Sequence, residues 1–445
     1  MEVILENIIS YGLIFLLIAL VILFYIGNSK KQSKLVRNKI EKAKEFGFHE
    51  PVSLHPVVNL DICLGSGACV AACPEKDILG LVDGRAALVN ASRCVGHGAC
   101  FHACPVGAIT LVIGTEKRGV ELPHVSSEFE TNVKGIYIAG ELGGMGLIKN
   151  AVEQGRQAVE NISKHLSRSN DADYDVVIIG AGPAGISATL AAKQKHLRYL
   201  TLEQDSLGGT VYSFPRKKIV MTSPMHLPLY GKLYLRETSK SELLEIWWDV
   251  LEKNKITINE NEKVLSINKT NGCFEIESGK STYRTNTVLL AIGRRGSPRK
   301  IEAPGAQNEK VMYRLLEPEM IQGQRVLVVG GGDSAVESAL LLCNQNNDVS
   351  LSYRGDSFSR IKPMNHERII RAIDEGIIHI YYNSTVKEVK DKSVILSVSK
   401  EGKISEQEIE NDLVYGFLGG ELPNQFLQQM GIAITKKYGE AVLKH

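Results

Sequence analysis

Asp175-Val176-Val177-Ile178-Ile179-Gly180-Ala181-Gly182-Pro183-Ala184-Gly185 is the stretch on which the fold turns. A β-branched run with no polar interruption reads as a strand buried on both faces, and the glycines open an alanine-rich helical stretch from Ala184 to Lys195. Glycines at that turn let the backbone approach a pyrophosphate, which the unpaired N–H groups of the helix start attract. Glu203, after the apolar Tyr199-Leu200-Thr201-Leu202, stands where an acid accepts hydrogen bonds from an adenosine ribose, and Gly208-Gly209-Thr210 follows. The arrangement recurs downstream: Arg325-Val326-Leu327-Val328-Val329 runs into Gly330-Gly331-Gly332-Asp333-Ser334-Ala335 and a helical stretch from Val336 to Cys343. Two such units imply two dinucleotides.

These residues resemble the thioredoxin reductase-like flavoproteins, the class II pyridine nucleotide-disulfide oxidoreductases. Ala291-Ile292-Gly293 is similar to the family's domain-linking motif. The resemblance implies FAD on Gly180, Gly182, Pro183, Ala184, Gly185, Glu203, Gly208, Gly209 and Thr210, and NAD(P)H on Gly330, Gly332, Asp333, Ser334 and Ala335. After the strand Val349 to Ser352 no acid stands ready for a free 2'-hydroxyl, and the family's His-Arg-Arg is reduced to Tyr353-Arg354-Gly355. Arg354, with Arg360 or Lys362, would then meet a 2'-phosphate, which leans the choice to NADPH. The family's last flavin-binding segment, with its acid on the ribityl chain, is missing downstream. Its likeness lies upstream as Thr131-Asn132-Val133-Lys134-Gly135-Ile136-Tyr137-Ile138-Ala139-Gly140-Glu141, followed by a helical stretch from Leu147 to Leu166, so the flavin domain reads as circularly permuted with Gly140 and Glu141 at the flavin.

The chain has eight cysteines, six of them from Cys63 to Cys104. Cys63, Ser66, Cys69, Cys73-Pro74 and then Cys94, His97, Cys100, Cys104-Pro105 are one motif written twice, with the second position changed each time. This stretch, residues 56–112, resembles the two-cluster bacterial ferredoxins, in which the fourth cysteine of each run serves the other cluster. The resemblance implies one cluster on Cys63, Cys69 and Cys104 beside Ser66, and another on Cys94, Cys100 and Cys73 beside His97. Three thiolates suit a three-iron cluster, or a four-iron cluster completed by the serine oxygen or the imidazole; zinc on Cys and His is the alternative. Between the motifs, Asp83-Gly84 joins two apolar runs as a hairpin. Cys273 and Cys343 are too far apart in sequence to read as a redox pair, and Val211 stands after Thr210 where lipoamide-type relatives carry one. No catalytic side chain is expected, since hydride and electron transfer belong to the cofactors.

From Ile8 to Ile26 the sequence is uncharged, long enough as a helix to cross a bilayer core. Glu2 and Glu6 precede it, while Lys30, Lys31, Lys34, Arg37, Lys39, Lys42 and Lys44 follow. That is the reverse of a secretory signal, and it predicts a single-pass anchor with the N-terminus outside, the bulk of the chain cytoplasmic, and the lysines near anionic lipid. The chain as a whole has a net charge of +2, and outside this basic cluster the charges are mixed, which argues against a nucleic-acid partner.

The expected fold is α/β: two Rossmann-like dinucleotide-binding domains preceded by a transmembrane helix and a small α+β ferredoxin-like domain. The boundaries are 1–27 for the tail and membrane helix, 28–55 for a basic linker, 56–112 for the Fe-S domain, 113–298 with 416–445 for the FAD domain, and 299–415 for the NAD(P) domain. The expected activity is a membrane-anchored NAD(P)H oxidoreductase exchanging electrons through FAD and one or two Fe-S clusters with a ferredoxin, quinone or cytochrome-type partner; the sequence also allows a homodimer. A flavin-dependent disulfide reductase and a nucleotide-binding redox sensor are the alternatives.

Overall fold

The computed structural model describes residues 2–45, 49, 51, 54–94, 96, 98–116, 119–144, 146–212, 219–220, 224–235, 237–270, 272–294, 296, 298–358, 361–400 and 402–443. They form two compact units, residues 1–119 with 438–445, and residues 120–437.

In the first unit the helix Glu2–Glu45 is continuous. Residues 28–45, expected as a linker, are therefore helical, and the reason is packing on the hairpin formed by Leu79–Val82 and Arg85–Leu88. Gly80 leaves room for Val36, whose Cγ1 would lie 2.6 Å from any Cβ there. Ser33 Oγ accepts from the Asp83 N–H at 3.1 Å, Arg37 pairs with Asp83, and Lys39 pairs with Asp77 at 2.6 Å. The hairpin turns at Asp83 and Gly84 with φ of 49° and 74°, the two left-handed residues a tight right-twisted hairpin needs. Beside it, His55–Val58, Ile109–Ile113 and Glu440–Leu443 make a three-stranded antiparallel sheet. Segment 416–445 is thus not wholly a completion of the flavin domain. Ile434–Lys437 pairs with Val120–Pro123 in the second unit, but Glu440–Leu443 adds an edge to the first.

The second unit holds two parallel cores. In one, Tyr174–Ile179 lies between Thr282–Leu290 and Tyr199–Leu202, all parallel, with Cys273–Ser278 and Val264–Thr270 added antiparallel. Ile136–Ile138 joins the far side of Thr282–Leu290, also parallel, so the upstream segment is a strand of this sheet. Its helix Ile148–His165 lies against the helix Pro183–Gln194 so closely that a Cβ on Gly155 would overlap the Ala184 carbonyl oxygen. The other core orders Val311–Met312, Leu413–Gly416, Arg325–Val329, Asp348–Ser352 and Ile378–Tyr381 in parallel, with a three-stranded antiparallel sheet from Ser384 to Glu410. The central strand of each core is buried, as two-sided coverage requires: Val176, Val177, Ile178, Leu327 and Val328 are all inaccessible.

Asp175, at the start of the first central strand, has a fully buried side chain that pairs with Arg198 at 2.9 Å and Arg168 at 3.1 Å. Burial alone would raise its pKa; the hydrogen bonds from Arg198 and Arg168 outweigh it and hold the carboxyl down at about 2. Because the folded value lies below the unfolded one, this stabilisation is complete above about pH 4 and is lost as pH falls toward 2. Asp175→Asn is expected to cost about 1–2 kcal/mol near neutrality, discounted because both guanidinium groups reach solvent, with the deficit shrinking in acid. Denaturant midpoints of both proteins from pH 6 down to 2.5 check this.

Candidate functional site: two glycine cradles and two cysteine cages

The first cradle is built by close approach. Gly180 has φ of 101°, and a Cβ there would stand 2.6 Å from the Ala291 carbonyl oxygen. On Gly185 a Cβ would overlap the Gly180 carbonyl oxygen, so the helix Pro183–Gln194 rests directly on the turn. Gly182 differs: nothing lies within 4 Å of its Cβ position, and as N-cap it gives the helix no side-chain cap. The helix start therefore presents open backbone donors, which fits an anionic dinucleotide phosphate. The Gly208 N–H donates to the Ala181 carbonyl at 2.9 Å, and Gly209 approaches Gly182, with the half-buried Thr210 next in the chain. Glu203 is 5% exposed and accepts from the N–H groups of Ala181 at 2.6 Å and Asp205 at 2.9 Å. Burial raises its pKa against these bonds. The carboxylate is thus a brace of the glycine turn, a contact the sequence did not suggest.

Gly140 and Glu141 come to this cradle. Gly140 has φ of 87°, donates its N–H to Gln154 Oε1 at 2.8 Å, and would place a Cβ 3.0 Å from that of Ala184. Arg294, unmarked in the sequence reading, is close by: burial lowers its pKa, opposed by Glu141 and then Glu121, whose carbonyl oxygen accepts from its Nη2 at 3.3 Å. Its position one residue past Gly293 was the available signal.

In the second cradle Gly330 has φ of 143°, and a Cβ would meet the Phe417 carbonyl oxygen at 2.5 Å. Gly332 repeats Gly182, an open Cβ position capping an 11-residue helix without a side-chain cap. Ser334 is exposed and Ala335 buried. Asp333 Oδ1 accepts from the Lys362 N–H at 2.9 Å and from Asn365 Nδ2 at 2.6 Å, and Asn365 also donates to Glu337 at 2.8 Å. Asn365 is another residue the sequence reading passed over. Arg354 is exposed, and Arg360 lies outside the described residues. The Tyr353 ring fills the space above Gly331 and stacks on Phe358 at 5.4 Å, so aromatic side chains wall this cradle.

The cysteines gather into two cages in the first unit. Cys63, Ser66, Cys69 and Cys104 line one pocket. Cys73, Cys94 and Cys100 line another; His97 lies outside the described residues. Each cage thus takes its last cysteine from the other motif. The Ala86 and Ala108 N–H groups donate to the sulfurs of Cys63 at 3.5 Å and Cys104 at 3.2 Å, and Ser66 Oγ accepts from the Ala68 N–H at 3.4 Å. Burial pushes the Cys100 thiol up to about 12, with Cys94 and Cys73 adding to it, and the Cys94 thiol up to about 11. Binding iron would reverse that sign by favouring the thiolates. Among the described residues no three His, Cys, Asp or Glu side chains converge as ligands of one metal ion. Sulfurs spread around a cavity fit a cluster of several irons better than a single zinc.

The upstream helix supplies the last feature. One described helix, Tyr11–Glu45, is long and apolar enough to cross a membrane, and its apolar portion is unburied.

A family model described as pyridine nucleotide-disulphide oxidoreductase matches residues 177–444, and one described as a 4Fe-4S dicluster domain matches residues 55–105. Among curated proteins, the bacilliredoxin reductase Bdr of Bacillus subtilis is 28% identical over 59% of this chain and 82% of its own. A ferredoxin–NADP reductase of Lysinibacillus sphaericus is 30% identical over 59% of this chain and 75% of its own. Among solved structures, the bacillithiol disulfide reductase Bdr of Bacillus cereus superposes with a TM-score of 0.50 at 23% identity, covering 61% of this chain and 85% of that one, a likeness of fold.

Proposed function

The chain belongs to the pyridine nucleotide-disulphide oxidoreductase family, and from that premise we propose that this FAD-dependent oxidoreductase is membrane-anchored and exchanges electrons between NAD(P)H and a redox partner through its 4Fe-4S dicluster domain. The observation that carries the reading is the pair of cysteine cages in a chain that also holds two open glycine cradles. Bound FAD would supply the exchange between the two-electron chemistry of NAD(P)H and single electrons, and Fe-S clusters on the cysteine cages would supply one-electron relay.

The chain's own residues supply binding and orientation. Gly180, Gly182 and the helix start Pro183-Ala184-Gly185 would hold the FAD pyrophosphate, with Glu203 keeping that turn in shape and Gly208-Gly209-Thr210, Gly140 and Glu141 closing on the ring side. Gly330 and Gly332 would hold NAD(P)H, with Asp333, Ser334 and Ala335 opening the helix behind them. Arg354, exposed beside the cradle, with Arg360, would favour NADPH. Cys63, Cys69 and Cys104 would ligate one cluster beside Ser66, and Cys73, Cys94 and Cys100 the other beside His97, in three- or four-iron form. The helix from Tyr11 would cross the bilayer once, with the lysine-rich side and the enzyme in the cytoplasm.

Relatives named ferredoxin–NADP reductase support a one-electron redox protein as partner, and the 4Fe-4S dicluster domain, which suits one-electron transfer, favours that reading over a disulfide. Val211, buried beside Gly209-Thr210, gives the disulfide alternative no thiol near the flavin cradle. Anaerobic titration with NADPH and then NADH, read by flavin bleaching and Fe-S electron paramagnetic resonance, tests the proposal. It expects bleaching followed by reduced-cluster signals, unchanged in Cys273→Ser/Cys343→Ser. Flavin that neither nucleotide bleaches would support a redox sensor instead, and reduction that never reaches iron would support a disulfide reductase. Arg354→Ala is expected to lower kcat/KM for NADPH about tenfold and to leave NADH nearly unchanged, the loss of one charge-assisted phosphate contact.

A further inference from the structure

The N-terminal helix is a ruler along the first unit. Its apolar run ends at Ile26, and Ser33, at 1.5 Å per residue, lies about 10 Å further on. Going on along the helix, Ser33 and Arg37 meet Asp83, Val36 meets Gly80, and Lys39 meets Asp77. The hairpin therefore points its Asp83-Gly84 turn toward the apolar run and its open end away.

The two cages divide along the same line. Gly65 lies so near the turn that a Cβ there would overlap the Gly84 carbonyl oxygen, and Cys63 Sγ accepts from the Ala86 N–H, so the Cys63/Cys69/Cys104 cage is at the near end. Ile78 and Leu79, at the open end, line the other cage. Exposure differs just as sharply. At the near cage, Leu64 and Val106 of its lining are 74% and 37% exposed, with Leu60 and Ile62 next to Cys63 in sequence at 50% and 45%, while Ile109 on its inner side is 1% exposed; Ile78 and Leu111 beside the far cage are 1% exposed. An apolar lip thus surrounds one cage, at the end of the unit that faces the exposed apolar helix, with Lys30, Lys31 and Lys34 exposed on the helix between them.

We propose that this lip, Leu60, Ile62, Leu64 and Val106, rests in the headgroup layer of an anionic bilayer, so that the Cys63/Cys69/Cys104 cage faces the membrane and the Cys73/Cys94/Cys100 cage faces away. The occupant is lipid: the lip is continuous with a helix of membrane-crossing length, its distance from the end of that helix matches the depth of an interface, and the lysines between suit anionic headgroups. The proposal rests on the membrane anchor proposed above. A carrier held in the bilayer meets this cage first.

Full-length protein carrying Leu64→Trp is reconstituted in phosphatidylcholine/phosphatidylglycerol vesicles with brominated acyl chains, and its tryptophan emission is compared with that of wild type and of Lys42→Trp, an exposed position further along the helix. Bromine should roughly halve the added emission at position 64, as burial at the acyl boundary requires, and leave that at position 42 unchanged. Leu60→Trp serves if Leu64→Trp loses its Fe-S absorbance. Protein that floats with the vesicles while position 64 stays bright overturns the proposal and leaves the anchor standing. Quenching at both positions overturns the end-on placement. Failure to float removes the anchor and the proposal together.

Discussion

Gly185→Ala is expected to leave the protein without flavin and with a second unit that unfolds early. The new Cβ would overlap the Gly180 carbonyl oxygen, which belongs to the turn on which the helix Pro183–Gln194 sits. Neither group is the far end of a flexible side chain, so relief means moving the helix away from a sheet whose central strand, Val176 to Ile179, is buried. Overpacking of this kind costs about 3 kcal/mol, or roughly 4–5 °C in a unit of this size. Gly182→Ala separates binding from folding. Its φ is −77°, and nothing lies within 4 Å of the new atom, so the melting temperature should hold while flavin affinity drops at least about tenfold, because the methyl stands where the ligand's backbone approach is needed. Flavin content by absorbance and melting by circular dichroism give both numbers for each variant. A Gly185→Ala protein that is yellow and unshifted would mean that the turn and helix are not packed as described.

Cysteine substitutions are expected to pair by cage and not by motif. Cys69→Ala and Cys104→Ala lie in different sequence motifs but line the same cavity, so each should remove the same cluster, and the double variant should lose no more iron than either single one. Cys69→Ala/Cys73→Ala, two residues of one motif, reach into both cavities and should lose nearly all iron. Losing one of two clusters removes about half the iron and acid-labile sulfide. Activity with a one-electron protein acceptor should fall by about two orders of magnitude in every such variant, while NAD(P)H-dependent bleaching of the flavin persists, since the cradles lie in the other unit. Equal losses from Cys69→Ala/Cys104→Ala and Cys69→Ala/Cys73→Ala would rule out the two-cage arrangement.

Much of this could be read from the sequence because local chemistry fixes it. Gly185 is required by contact with its own turn, and Asp83-Gly84 by its own hairpin, so short windows suffice there; Gly180 and Gly330 sit in the same motif, but the carbonyls that crowd them, Ala291 and Phe417, are remote in the chain. The upstream segment Thr131 to Glu141 was legible as a flavin-domain piece for the same reason, and Ile136–Ile138 does pair within that sheet. What escaped depends on partners remote in the chain. Glycine inside the helix Ile148–His165 is costly by propensity, and Gly155 is explained only by the Ala184 backbone against it. Residues 28–45 carry charges that resemble a solvated linker, yet Arg37 and Lys39 find Asp83 and Asp77 on the hairpin, and their alignment keeps the helix going. Nothing near Asp333 in sequence foretold Asn365, since the helix that brings it begins beyond another strand.

The edge strand Glu440–Leu443 has a consequence in time. It pairs with Ile109–Ile113, and Leu111 of that strand lines the Cys73/Cys94/Cys100 cage, yet it is translated only after the whole second unit. At ribosomal rates the wait is on the order of tens of seconds, during which the nascent first unit has an unpaired strand edge. Maturation of the iron-binding half is therefore tied to completion of the nucleotide-binding half, and a polypeptide released early would carry its cysteines on an unfinished sheet, open to adventitious metal and to aggregation.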